Sequence, residues 1–238
     1  MTRRRWIADE FTSQKAALTG PNAAHLARTL RARIGQEFDV ACGERVFRAA
    51  ISSVADGRVE FALGDEIGAK AQPASLNLLL AIFKFDRMEW AIEKCTELNA
   101  TTIIPVIARR TEKHLAQAAH KRVERWRRIA HEAAQQSRRV VPPEVSAPVK
   151  LAEALQSQAE VTIVLSENAR VAALTEILRQ HDEIHSLTLA IGPEGGWTGD
   201  ELKSFERAGW ASASLGETIL RAETAAIAAL AIAGAELK

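Results

Sequence analysis

Two glycine-bearing segments near the end of the chain hold the residues most able to do chemistry. Gly192-Pro193-Glu194-Gly195-Gly196-Trp197-Thr198-Gly199 sets four glycines and a proline directly after the apolar run Leu187–Ile191. Residues without side chains let backbone N–H and C=O groups approach a ligand closely. A loop at the carboxyl end of a parallel strand is where α/β proteins bind small molecules. Thr198 and Glu201 have the spacing of a capping box opening the next helix. The second segment, Leu215-Gly216-Glu217-Thr218-Ile219-Leu220-Arg221-Ala222-Glu223-Thr224-Ala225-Ala226, again links a short apolar run to a helix. Glu223 and Thr224 fall where a helix start favours a carboxylate and an oxygen cap. Arg221 offers a planar fork of donors suited to a substrate oxygen. Neither segment has the G-x-G-x-x-G spacing, which removes support for a dinucleotide site. The bland reading of both is turn and capping structure.

The elements that must carry these loops are legible in outline. From Ser75 onward strands alternate with helices. The strands are Ser75–Ile82, Thr101–Val106, Val161–Leu165, Leu187–Ile191 and Ala211–Leu215. The helices are Arg87–Leu98, a long amphipathic His114–Ser137, Val171–Arg179, Asp200–Ala208 and Thr224–Ala235. Helical connections favour parallel pairing, so this region reads as α/β with a mostly parallel sheet. Before it, one helix over Asn22–Arg33 precedes alternating strands at Gln36–Cys42, Val46–Val54 and Arg58–Leu63, with turns at Gly43-Glu44 and Asp56-Gly57. A compact β-barrel module is expected there, with Gly68–Pro73 as the linker.

The 238 residues are 47% hydrophobic and 26% charged, which excludes wholesale disorder. Cys42 and Cys95 form no C-x-x-C pair, and no His/Asp/Glu cluster suggests a metal. The basic start Met1–Arg5 runs straight into Asp9-Glu10 with no apolar core behind it, so no secretory signal is read. Ala225–Ala235 is too short to span a bilayer. A cytoplasmic protein without membrane contact is expected. The net charge of +1 conceals an asymmetry: residues 1–34 hold seven Lys or Arg against two acids, and residues 109–139 hold ten against three. Localised basic segments on a neutral chain point to a polyanion partner. Within the second, Lys121, Arg122, Arg125 and Arg128 are spaced to share one helix face.

Together, Gly192-Pro193-Glu194-Gly195-Gly196 and Leu215-Gly216-x-x-Ile219-Leu220-Arg221-x-Glu223-Thr224-Ala225 closely resemble the RsmE family of ribosomal RNA methyltransferases, of the SPOUT superfamily. The likeness covers nearly the whole chain. His25-Leu26, Leu30-Arg31 and Gly35 resemble the family's amino-terminal module. Lys84, Lys94 and Thr96-Glu97-Leu98 resemble its first strand–helix unit, and Glu132-Ala133-Ala134, Gln136-Ser137 and Pro142 its central helix end. Four positions depart: the family usually has glycine at Asn99 and Arg138, glutamate at Gln135 and arginine at Thr218.

The resemblance implies a PUA-like RNA-binding β-barrel over residues 1–72 and a SPOUT methyltransferase domain with a deep trefoil knot over 73–238. It implies a homodimer. The implied reaction is methyl transfer from S-adenosylmethionine to N3 of a uridine in small-subunit (16S) ribosomal RNA. The implied cofactor pocket is Leu165, Gly192, Gly195, Leu215, Gly216, Ile219, Leu220 and Ala225. For the chemistry, Arg221 is the candidate for stabilising charge on the uracil, and Glu194 and Glu223 are candidate proton acceptors. Arg3, Arg4, Arg31, Arg122, Arg125 and Arg128 are the candidate RNA contacts. The contrasting reading is a noncatalytic RNA-binding protein of the same fold.

Overall fold

The computed structural model describes residues 4–55, 57–68, 74–156, 159–167 and 171–237. Contacts divide the chain into two units, residues 1–71 with 134–142, and residues 72–133 with 143–238. The excursion at 134–142 lies outside the expected boundary at residue 72. Its physical basis is packing: Ala134 is buried with Ile7, Ala41 and Val46.

The first unit contains β1 (Trp6–Ile7), β2 (Glu10–Phe11), β3 (Lys15–Thr19), α1 (Gly20–Ala24), β4 (Glu37–Cys42), β5 (Arg45–Ala55) and β6 (Arg58–Ile67). Its sheet runs β1-β4-β5-β6-β3-β2, antiparallel except for the β1–β4 pair. The Ala8 N–H donates to Ala41 on one side and the Asp9 N–H to Ala17 on the other, so the sheet curls to bring its two ends together. Trp6, Leu18, Leu26, Val40, Ile51, Val59 and Phe61 fill its interior. The hairpin strands stand where alternation put them, and Gly43 and Gly57 turn with positive φ. Asp56 and most of the expected linker lie outside the described residues. The helix read over Asn22–Arg33 is shorter. After α1 a π-helical turn covers His25–Thr29, and Arg31 has a φ of 50°. The Leu30 N–H still reaches His25, but the backbone then leaves helical geometry. Strands β1 to β3 went unread because runs of two to five residues carry too little periodicity.

The second unit contains β7 (Ser75–Ala81), α2 (Phe85–Glu97), β8 (Thr102–Ile107), α3 (Lys113–Ala118), α4 (Val123–Gln136) as far as Ala133, β9 (Glu144–Val145), β10 (Val149–Lys150), α5 (Leu151–Ala154), β11 (Val161–Leu165), α6 (Leu174–Leu178), β12 (Ser186–Ile191), α7 (Gly199–Arg207), β13 (Ala211–Ala213) and α8 (Ala222–Glu236). Its parallel sheet runs β10-β8-β7-β12-β11-β13, with β9 also paired to β8. Strand side chains alternate between faces. Leu78 and Leu80 join Met88, Ile92, Trp126, Ala226 and Leu230 on one side. Leu79 and Ala81 join Trp197, Phe205 and Trp210 on the other. Burial on both faces explains why these strands read as continuous apolar runs. The single helix expected over His114–Ser137 is broken by a 3₁₀ turn at Ala119–Arg122. Leu115, Ala119, Val123, Trp126 and Ala130 nevertheless all face the core, so the apolar spacing does not register the tightened turn. Asn99 closes α2 with a φ of 68°, and Arg138 has a φ of 61°. Both are left-handed positions that glycine occupies without strain.

Candidate functional site

The carboxyl ends of β11, β12 and β13, three neighbours in the sheet, open into one cavity of about 390 Å³. Strand β11 delivers Leu165, Ser166 and Glu167. Strand β12 delivers Gly192 to Trp197, and β13 delivers Ser214 to Gly216 and Thr218 to Ala222 at the start of α8.

Local chemistry shapes each loop. After Ile191 the chain turns back, with the Gly196 N–H donating to the Pro193 carbonyl at 2.7 Å. Gly196 has a φ of 69°, and a Cβ there would lie 3.2 Å from the Glu167 carboxylate. A Cβ on Gly192 would lie 3.2 Å from the Trp197 indole nitrogen. That indole is buried, and its N–H has no partner among the described residues. Trp197 rests edge-on against Phe205, which rests edge-on against Trp210, with centroids 5.0 and 5.1 Å apart. The loop thus leans on an aromatic row. At α7 the capping box is formed: the Glu201 N–H donates to Thr198 Oγ1, and Glu201 Oε2 accepts from the Thr198 N–H at 2.8 Å. In the third loop Ser214 Oγ accepts from the Gly216 N–H at 3.1 Å.

All eight positions expected to hold a cofactor line this cavity, as do Glu194 and Arg221. Arg221 is the N-cap residue of α8 and is exposed. Thr224 was expected near the cap; it lies inside the helix and is exposed, so its oxygen does not cap α8. Glu223 is buried in the first turn of α8 and does not line the cavity; its Oε2 has no hydrogen-bond partner among the described residues.

Several lining residues went unread in the sequence. Arg87, in the first turn of α2, donates to Glu194 Oε1 at 2.7 Å and lies 3.8 Å from Glu223 Oε1. One guanidinium therefore gathers both candidate proton acceptors. Arg110 donates to the Gly195 carbonyl. Glu167 adds a carboxylate to the lining, which also includes Thr218, already marked in the sequence as a departure from the family. Arg87 lies 107 residues from Glu194, beyond the reach of any local spacing argument. Its one available signal was position, three residues beyond Lys84 in a segment already compared with the family.

The candidate RNA contacts do not form one set. Arg3 lies outside the described residues. Arg4 lies over the Trp6 ring, 5.6 Å from its centroid, and Arg31 is exposed. Arg125 makes a bidentate pair with Glu89 at 2.7 and 2.8 Å. Arg122 stacks on Phe85 and comes within 3.9 Å of the same Glu89. Arg128 is 3.9 Å from Glu132 and exposed. Because Lys121 and Arg122 belong to the 3₁₀ turn and Arg125 and Arg128 to α4, the expected single-helix stripe is interrupted. Among the described residues no group of three or more His, Cys, Asp or Glu could hold a metal ion, and no helix is long and apolar enough to cross a membrane.

The cavity's lining fits S-adenosylmethionine. Its volume lies within the range of small-molecule sites. Leu165, Leu215, Ile219, Leu220 and Ala225 offer apolar surface for an adenine, the glycine loops offer backbone groups, and Glu167 offers a carboxylate for a cationic group, Glu194 being paired with Arg87.

Comparisons with known proteins agree with this geometry. Residues 70–234 match the family model for the RNA methyltransferase domain. The chain is 32% identical over 228 residues to the ribosomal RNA small subunit methyltransferase E of Synechocystis, covering 94% of this chain and 74% of that one. It is 30% identical to the protein of the same name from Rickettsia conorii, covering 92% and 89%. The structure superposes on ribosomal RNA small subunit methyltransferase E from Neisseria gonorrhoeae bound to S-adenosyl methionine, with a TM-score of 0.87, 29% identity, and 99% and 98% of the two chains covered. With a matching family model, relatives aligned along most of their length and cavity-lining loops where the sequence motifs stand, the chain belongs to the RsmE family of small-subunit ribosomal RNA methyltransferases.

Proposed function

We propose that the chain methylates N3 of a uridine in small-subunit ribosomal RNA, with S-adenosylmethionine as donor. The observation that carries this is the convergence of three strand-end loops, with Glu194 and Arg221, on one cavity. The cofactor would be held by Leu165, Gly192, Gly195, Leu215, Gly216, Ile219, Leu220 and Ala225. When bound, it supplies an electrophilic methyl group on a sulfonium, whose departure leaves a neutral thioether.

The remaining demands fall on the chain. Uridine N3 carries a proton at neutral pH, so a carboxylate must accept it as the N3–carbon bond forms; Glu194, which lines the cavity, is assigned this role, whereas Glu223, buried outside the lining, can act only through the Arg87 it shares with Glu194. As the proton leaves, negative charge spreads over uracil O2 and O4. Arg221, exposed at the N-cap of α8, is assigned to donate to one of them. Donors preorganised at developing charge account for about 10²–10³ in rate. Arg87 holds Glu194 in place and is a positioning residue. Arg3, Arg4, Arg31, Arg122, Arg125 and Arg128 are assigned to RNA phosphates, and each can be checked by the salt dependence of RNA binding after replacement by alanine.

The first unit, by the same reading, is a PUA-like RNA-binding barrel, which its curled and mostly antiparallel sheet supports. The second carries the deep trefoil knot. In support, β12 lies between β7 and β11 although it follows both in sequence; an experimental chain trace from β11 to α8 tests it. Catalysis in the cytoplasm on a homodimer completes the proposal. The decisive assay incubates purified protein with labelled S-adenosylmethionine and small-subunit ribosomal RNA and maps the modified nucleotide. Label on N3 of uridine is expected, with Arg221→Ala slowed about 10²–10³-fold while RNA binding persists. No transfer, or transfer to another atom, refutes the assignment, and a lack of saturable cofactor uptake would favour the noncatalytic reading.

A further inference from the structure

In the first unit, two arginines distant in sequence converge on one carboxylate, and a third is bonded to the backbone of one of them. Arg138 Nη2 lies 2.6 Å from Asp39 Oδ2, and Arg48 Nε lies 3.2 Å from Asp39 Oδ1. Arg5 Nη1 donates to the Arg138 carbonyl at 2.5 Å, and the Arg5 backbone N–H donates to the Gln135 carbonyl. Both oxygens of Asp39 are thus engaged by two guanidinium ions, and a third, that of Arg5, is held against Arg138 beside them. The other nearby acid, Glu37, is 3.9 Å from Arg48, and both are about half exposed, so that pair adds little.

The cluster therefore keeps uncompensated positive charge. Arg5 registers it: burial, and then the charge of Arg138, push its guanidinium below the usual arginine range. Arg5 Nε is buried and without a partner among the described residues. Each guanidinium has five N–H donors, and Asp39 uses only one or two from Arg48 and Arg138. The side chains of Arg48 and Arg138 are 51% and 42% exposed, against 16% for Asp39, so the remaining donors face water while the carboxylate does not. Arg138 also stands at a φ of 61°, where a non-glycine residue pays backbone strain.

We infer that Arg5, Arg48 and Arg138, gathered about Asp39, form an anion site on the first unit that takes a phosphodiester of the RNA substrate. The geometry suits it: guanidinium forks match phosphate oxygens, and a carboxylate behind them orients the forks. None of the three lines the cofactor cavity. The inference rests on the reading that the chain acts on ribosomal RNA.

The test is RNA binding by fluorescence anisotropy, with a small-subunit ribosomal RNA fragment titrated across salt concentration. Arg138→Gly removes one guanidinium and places at a φ of 61° the residue that adopts it freely, so the fold should persist; Arg48→Gln provides an independent second variant. Each should flatten the log–log salt slope by about 0.7–0.9 and weaken binding roughly three- to tenfold near 0.1 M salt. Cofactor affinity, measured by calorimetry, should not change. Asp39→Asn removes the competing carboxylate and should tighten RNA binding, whereas purely structural ion pairs would leave RNA affinity at the wild-type value. Folded Arg138→Gly or Arg48→Gln protein with wild-type affinity and slope overturns the site alone. Wild-type protein without salt-dependent RNA binding overturns the functional reading and the site with it.

Discussion

Gly195 shows how a single position connects backbone to ligand. A Cβ there would lie 3.2 Å from Arg110 Cδ, while the Arg110 guanidinium donates to the carbonyl of Gly195 itself. A valine must push that arginine aside and intrude on the cavity. Gly195→Val should lose cofactor binding by at least about 100-fold, a cost of ~3 kcal/mol, with a circular dichroism spectrum near wild type. Calorimetric titration with S-adenosylmethionine reads this directly, and an unchanged affinity would place the cofactor elsewhere. The sequence exposed Gly195 because glycine spacing is local. Arg110 and Arg87 stayed hidden because nothing local links them to the loop.

At the scale of elements, the N-terminus of α7 ties two cavity loops together. Glu201 is 5% exposed, and its two oxygens do different work. Oε2 closes the capping box on Thr198, and Oε1 accepts from the Arg109 N–H at 2.7 Å, anchoring the segment that carries Arg110. Thr198→Ala should cost about 1 kcal/mol, the usual loss of an N-cap. Glu201→Ala should cost about 2–3 kcal/mol, since it also strands a backbone donor and the Thr198 hydroxyl. Urea denaturation compares them, and equal losses would mean that the Arg109 contact contributes nothing. The capping box was legible from a spacing of three; the bond to Arg109, 92 residues away, was not.

For the whole molecule, pH and concentration are the informative variables. Burial pushes the Cys95 thiol up to about 12 and, with partial opposition from Arg45, the Cys42 thiol up to about 11. An unfolded thiol ionises near ~8.5, so above that pH the unfolded chain releases protons that the native state retains. The stabilisation is fully present below ~8.5 and is lost as pH rises towards 11–12. Each thiol contributes a slope of at most about 1.4 kcal/mol per pH unit. Cys95→Ala should be less stable at pH 8 yet show a shallower alkaline decline; parallel wild-type and variant profiles would refute this. The proposed homodimer is checked by sedimentation equilibrium at micromolar concentration. Helix α8 motivates it: Ala226, Ala229, Leu230 and Ala233 are buried, while Ala225, Ala228 and Ile232 form a second apolar edge that is only partly covered. A monomer at that concentration would count against it.

By itself the amino-acid order determined what depends on neighbours along the chain. The apolar runs of β7, β11 and β12, the Thr198–Glu201 cap, and the glycine turns at 43, 57, 192 and 195 are set by continuous apolar stretches, capping oxygens and missing Cβ atoms. The motif pair at 192–196 and 215–225 further marked where chemistry would lie. Tertiary structure alone decided which distant groups meet. It set Arg87 between Glu194 and Glu223, bonded Arg110 to Gly195, and paired Asp39 with Arg48 and Arg138, with Arg5 bonded to the Arg138 carbonyl. It also shortened the helix before Arg31 and broke the one before Val123. The reason is physical: a charge finds its partner through three-dimensional proximity, and the sheet order creating that proximity is set by burial over the whole chain.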